Sequence, residues 1–220
     1  MVDAAPIWSE PELNSWLDEA IERTGVPGAS LAIRHGDARF CAEAGVADIT
    51  TRRTVGRDSV FQIGSTTKVL TAAIVLQLVD DGALDLDGPV EDHLGRFQIG
   101  GVDVGSVTAR QLLDHTSGLP GHYFTDFGPG PNSIERYVAS LASQQMIHPP
   151  GAMFSYFNAG YVVAGRLAEI ATDTTFADLM RTRIAEPLGL RFSTVDQADI
   201  AEHQLVQGHE LGVDGTPKVA

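Results

Sequence analysis

Lys68 is the residue of this chain that most needs a reason. Thirteen arginines and only two lysines, Lys68 and Lys218, carry the positive charge. Lys68 stands at the head of the longest nearly apolar run, Val69 to Val79. The stretch Thr66 to Asp81 follows Gly64-Ser65 and runs into Gly82, a residue suited to ending a helix in the left-handed conformation. Val69, Leu70, Ala72, Ala73, Ile74, Val75, Leu76, Leu78 and Val79 leave almost no polar face. A helix apolar all round is expected to be buried. Thr71 and Gln77 interrupt the run, and it is too short to span a bilayer. A chain sparing with lysine has thus put one where a solvated charge fits poorly.

Ser65-Thr66-Thr67-Lys68 suggests why. Residues three apart on a helix share a face, so the hydroxyl and the amine can meet. The first turn directs unpaired N–H groups and partial positive charge at the serine, which favours an oxyanion forming there. Burial disfavours the ammonium form, so Lys68 is expected to serve as a base and Ser65 as an activated nucleophile. Ser-x-x-Lys also arises by chance, with Ser as an N-cap and Lys on a solvated face. The lysine scarcity and the flank Val69-Leu70 weigh against that alternative.

Tyr156-Phe157-Asn158 forms a second element, just before an apolar helix expected from about Ala159. A phenol and an amide two residues apart in an extended segment point the same way. The plain alternative is that Asn158 caps the helix and Tyr156 is a half-buried aromatic.

Composition narrows the classes further. The 220 residues hold 15 basic and 29 acidic side chains, a formal charge of −14, with 43% apolar and 20% charged residues. These proportions suit a folded protein, and the acidic balance argues against a nucleic-acid partner. The single Cys41 excludes a disulfide framework and a thiolate metal cluster. Met1 to Leu13 shows neither a basic n-region nor an apolar h-region, so a cytoplasmic protein with no membrane association is expected.

Along the chain, Ser9-Glu10-Pro11-Glu12 fits a capping box and opens a helix over about 10–24. Ala29 to Arg34 and Ala38 to Val46 read as a hairpin turning at His35-Gly36-Asp37. Thr108-Ala109-Arg110-Gln111 opens a short helix ending near His115. Residues 120–131 read as a loop whose Tyr123, Phe124 and Phe127 suit a groove. Further helices are expected over about 132–145, 158–171 and 175–185, and a strand is expected to begin within Leu205 to Gly212. The order implies an α+β fold: residues 1–82 contribute the hairpin and nucleophile helix, 83–200 a helical subdomain, and 201–220 the start of a return to the sheet.

Taken together these blocks resemble a known family. Phe61-Gln62-Ile63-Gly64 before Ser65-Thr66-Thr67-Lys68, then Leu112-Leu113-Asp114-His115-Thr116-Ser117-Gly118-Leu119, Tyr156-Phe157-Asn158 and Glu186-Pro187-Leu188-Gly189-Leu190 are similar in order and spacing to the serine β-lactamase-like family. That family comprises class C β-lactamases, DD-peptidases and related esterases, and Val26-Pro27-Gly28 also fits it. The resemblance implies an antiparallel sheet with flanking helices plus an all-helical subdomain. It also implies a covalent mechanism in which Ser65 attacks a carbonyl, Lys68 takes its proton, Tyr156 relays protons to the leaving group, and Asn158 positions Lys68 or the substrate amide. The Ser65 N–H would supply half of an oxyanion hole. The acyl substrate would be a small molecule or peptide, with no cofactor and no metal. His115 and Ser117 read as structural.

One expected piece is not found. The family's third motif, Lys or His followed by one residue and Gly, is matched neither by Lys218-Val219-Ala220 nor by His209-Glu210-Leu211-Gly212. The expectation is therefore that these residues are the N-terminal portion of a longer polypeptide, or that a second chain completes the fold. The expected activity is that of a cytoplasmic esterase or peptide-processing enzyme, the alternatives being a penicillin-binding-protein-type thioesterase or peptide cyclase and a non-catalytic ligand sensor. A Ser-His-Asp hydrolase using His93, His115, His122 or His148 is disfavoured by the lack of a Gly-x-Ser-x-Gly elbow. A metal site at Glu202, His203, His209 and Glu210 lacks the His-Glu-x-x-His spacing.

Overall fold

Ser9 begins the first helix as its neighbours require. Its N–H donates to the Glu12 carboxylate at 2.9 Å, and its hydroxyl lies 3.4 Å from the Glu12 N–H. Gly25 at φ 71° ends that helix. The computed structural model describes residues 8–190, 193–195, 200, 204–213 and 216–219. Within them the elements run α1 (Glu10–Thr24), β1 (Gly28–His35), β2 (Ala38–Gly45), β3 (Ser59–Val60), α2 (Thr67–Asp80) and α3 (Glu91–Leu94). There follow β4 (Gln98–Ile99), β5 (Val102–Asp103), α4 (Ala109–Leu113), α5 (Ser133–Ser140), α6 (Ala159–Thr172), α7 (Phe176–Met180) and α8 (Glu186–Leu188). A π-helical turn, Arg181–Ala185, joins α7 to α8. The chain returns through β6 (Gln204–Leu205), β7 (His209–Leu211) and β8 (Pro217–Val219). Two compact units result: Met1–Gln62 with Ala198–Ala220, and Ile63–Gln197.

In the first unit β1 and β2 pair antiparallel from Gly28↔Gly45 to His35↔Ala38. Gly36-Asp37 alone therefore makes the turn, with Gly36 at φ 59°. Alternation along β2 buries Phe40, Ala42 and Ala44, and Leu13 and Leu17 of α1 pack on them. That apolar face is what the helix was patterned to cover. β3 pairs in parallel with β6, and β7 pairs antiparallel with β8. The strand expected within 205–212 is thus present as two short pieces.

The second unit is built on α2 and α6, which belong to one apolar core. Ile74, Val75 and Leu78 of α2 share it with Val163, Ala164, Leu167 and Ala168 of α6. Because α2 packs here, it groups with Ile63–Gln197 and not with the hairpin unit, so the units divide at residue 62 where the sequence suggested 82. The apolar run of α2 is also not buried all round. Val69 is 68% exposed and Leu76 44% exposed, since they lie off the face that α6 covers. The β4–β5 hairpin, turning on Gly100-Gly101 at φ 58° and 79°, was not anticipated.

Small residues let α6 seat close to the segment before it. Phe157 is fully buried, and a Cβ built on Gly160 would lie 1.6 Å from its ring. Gly160→Ala should therefore lower stability by about 1–3 kcal/mol, the usual cost of overpacking, although alanine is the better helix former. Urea denaturation checks this; an unchanged or raised midpoint would show that the ring moves aside freely.

Candidate active site

The turn Gly64–Thr66 runs straight into α2, so Ser65 precedes the helix and Lys68 is its second residue. One turn of separation brings Lys68 Nζ to 3.2 Å from Ser65 Oγ. The same Nζ donates to Asn158 Oδ1 at 2.6 Å. Tyr156 completes the group, its hydroxyl donating to Ser65 Oγ at 2.8 Å. All four side chains named from the sequence meet within the second unit.

Asn158 distinguishes a cap from a site residue. It occupies the N-cap position of α6, yet its side chain makes no capping bond and turns to Lys68 instead. A capping asparagine would have accepted a backbone N–H of the first turn.

The block Leu112–Leu119 supplies the mounting. Gln111 O accepts the N–H groups of Thr116 and Ser117, both at 3.1 Å. The Asp114 carboxylate accepts the Thr116 N–H and hydroxyl at 3.0 and 2.6 Å. This tight turn leaves Thr116 O to accept from Gly151 N–H at 2.8 Å and His115 O to accept from Ser155 N–H at 2.9 Å. Gly118 at φ 78° faces the His148 backbone, where a Cβ would lie 2.1 Å from His148 O. Ser117 and Leu119 are fully buried beneath it. The segment carrying Tyr156 is thus tied to the block at several points.

Electrostatics couple the four residues. The Tyr156 phenol is held below its ordinary range, chiefly by hydrogen bonding with Lys68, then by the Ser65 hydroxyl. Lys68 Nζ also lies 4.8 Å from the Tyr156 ring centroid and 5.6 Å from that of Tyr161. The amine is only part-buried, and Tyr156 is 48% exposed. The expected enclosure of Lys68 is corrected accordingly: its head sits at the open N-terminal end of α2, and bonds to Asn158 and Ser65, not depth, define its place. Ser65 Oγ lies within proton-transfer reach of both an amine and a phenol.

The other candidates weighed from the sequence lie as follows. The His115 Nδ1 accepts from Phe157 N–H, and His148 Nδ1 donates to Pro149 O at 2.8 Å; no imidazole bonds Ser65 among the described residues. Glu202 and His203 lie outside the described residues, and among those described no cluster suits a metal. Of the loop aromatics, Tyr123 and Phe127 pack on the core while Phe124 is exposed. Phe127, Ile134, Tyr137 and Phe176 help line a cavity of about 640 Å³. Tyr161 was missed from the sequence, although its place three residues after Asn158 on one helical face could have signalled it. Among the described residues no helix is long and apolar enough to cross a membrane.

Known proteins resemble this chain in sequence and fold. Penicillin-binding protein 4 of Amycolatopsis lactamdurans is 39% identical over 196 residues, covering 87% of this chain and 51% of the relative. Unguisins hydrolase ungD' of Aspergillus campestris is 30% identical over 204 residues, covering 88% of this chain and 38% of that one. The crystal structure of SurE superposes with a TM-score of 0.78 at 30% identity, covering 96% of this chain and 47% of SurE. The chain therefore spans about half the length, or less, of these three relatives. The family model described as Beta-lactamase matches residues 13–220, and with that match the β-lactamase/transpeptidase-like fold is accounted for: the chain belongs to the Beta-lactamase family.

Proposed function

We propose that this protein is a serine hydrolase or acyltransferase that works through an acyl-enzyme on Ser65. The observation that carries the reading is the position of Ser65 Oγ, 3.2 Å from Lys68 Nζ and 2.8 Å from the Tyr156 hydroxyl. Lys68, as the free amine, takes the Ser65 proton while Oγ bonds to the carbonyl carbon of an ester, thioester or amide. Asn158 keeps the amine aimed by accepting one of its hydrogens. Collapse of the tetrahedral adduct breaks the bond to the leaving group, which receives a proton through Tyr156. Water then attacks the acyl-enzyme, and Ser65 recovers its proton along the same route. Hydrolysis of an ester or peptide-like carbonyl is the reading favoured, and a relative named as a hydrolase of unguisins supports it.

The backbone N–H of Ser65 supplies one oxyanion donor in this proposal. The second is assigned to the family's third motif, on a further portion of chain or a second chain. Coverage of only about half of the relatives supports that assignment.

A fluorophosphonate probe followed by mass spectrometry tests the nucleophile. The adduct is expected on Ser65 and is lost in Ser65→Ala. Tyr156→Phe and Lys68→Ala should each slow acylation by roughly 10²–10⁴-fold, the range for a lost acid–base group. Wild-type labelling rates for Lys68→Ala at neutral pH would remove Lys68 from the mechanism.

The coupling between Lys68 and Tyr156 has its own readout. A positive donor beside a phenol favours the phenolate, so Lys68→Met should move the Tyr156 titration upward toward the ordinary phenol range. Ultraviolet absorbance titration, with Tyr156→Phe subtracted, measures the shift; no movement would mean that the two groups do not interact.

A further inference from the structure

His115 reaches the site through backbone as well as ring. Its φ of 64° lies in the left-handed region, which histidine, asparagine and aspartate enter more readily than other side-chain-bearing residues. Its carbonyl accepts Ser155 N–H at 2.9 Å and its Nδ1 accepts Phe157 N–H at 3.3 Å, so two bonds clasp the chain on either side of Tyr156. The imidazole also lies 4.5 Å from the Tyr156 ring centroid, tilted by 38°, and meets Phe157 edge-on at 4.9 Å. A ring nitrogen that accepts an N–H carries no proton, which places the neutral ring's proton on Nε2.

We propose that His115 is a positioning residue: as a neutral acceptor it holds the Ser155–Phe157 backbone, and through it Tyr156 and Asn158, in register with Ser65 and Lys68. This rests on the acyl-enzyme reading of the same site. Protonation turns Nδ1 from acceptor to donor, setting it against the Phe157 N–H and releasing that side of the clasp. It also places a second cation near Lys68. The titratable and charged groups facing the ring are Lys68 from α2, Tyr161 from α6, Tyr156 from the clasped segment and Asp114 from its own turn. Burial, then the Lys68 charge, holds the imidazole below its ordinary range, with Asp114 opposing. A depressed folded value means that the aligned state is complete above the ordinary imidazole range, about 6.5, and is lost as pH falls through the lowered value.

Two substitutions separate ring, acceptor and charge. His115→Asn branches at Cγ, tolerates the positive φ, and can set an amide oxygen where Nδ1 stands, without a titrating group. His115→Phe keeps a ring and loses the acceptor. Burst kinetics with a p-nitrophenyl ester, on full chains shown to be folded by thermal midpoint, give the readout. The His115→Phe variant should lose about 10- to 100-fold in kcat, as a small misplacement does, with KM changed less than about 2-fold. The His115→Asn variant should keep most of kcat near pH 8 and hold it further into acid than the wild type. A folded His115→Phe variant with wild-type kcat, or a His115→Asn variant with the wild-type acid limb, would overturn the proposal. Nitrogen NMR decides it without turnover: the Nε2–H tautomer is expected, with the Phe157 amide shifting in the same step as the ring. A ring that titrates while the Phe157 amide stays still would also overturn it. Failure of Ser65 to label, with the NMR step observed, would count against the acyl-enzyme reading alone.

Discussion

The hydrogen bond from Lys68 Nζ to Asn158 Oδ1 ties the start of α2 to the start of α6, and the geometry around Ser65 follows from it. Beneath that bond the two helices share an apolar core in which Ile74, Val75, Ala164 and Ala168 are fully buried. Packing of this kind sets where the helix ends can stand, because interiors are dense and shift little. The polar bond then selects what the ends present. The lysine nitrogen gives one hydrogen to the amide, and Ser65 Oγ lies 3.2 Å from the same nitrogen.

The same economy appears in Leu112–Leu119, whose turn exhausts its internal hydrogen bonds while leaving two carbonyls directed at the Tyr156 segment. Extended segments without a sheet partner need such tethers for their backbone groups. Here the backbone of Ser155 and Phe157 bonds to His115, and the Phe157 ring is buried. Recognition of this block as structural is consistent with these bonds, with the qualification that its imidazole touches the tyrosine of the site.

Much of the fold was legible because it is written in local chemistry. The Ser9–Glu12 and Thr108–Gln111 boxes marked helix starts that the structure reproduces, and the small turn at Gly36 marked the hairpin. The Gly100-Gly101 hairpin escaped notice because two-residue strands have too little periodicity to read. The exposure of Val69 and Leu76 escaped it for a different reason: an apolar surface records what a helix can cover, not which side a neighbour takes.

For the site, spacing along the chain pointed to Ser65 and Lys68, and the resemblance to a known family added Tyr156 and Asn158. Helical pitch alone makes the first two neighbours. The sequence could not decide whether Asn158 would cap its own helix or cross to Lys68, since both uses need the same amide. Nor could it tell that His115 would spend its Nδ1 on the backbone beside Tyr156. Those choices involve residues 90 and 42 positions apart, and only the packing of the helical unit brings such partners within hydrogen-bond distance.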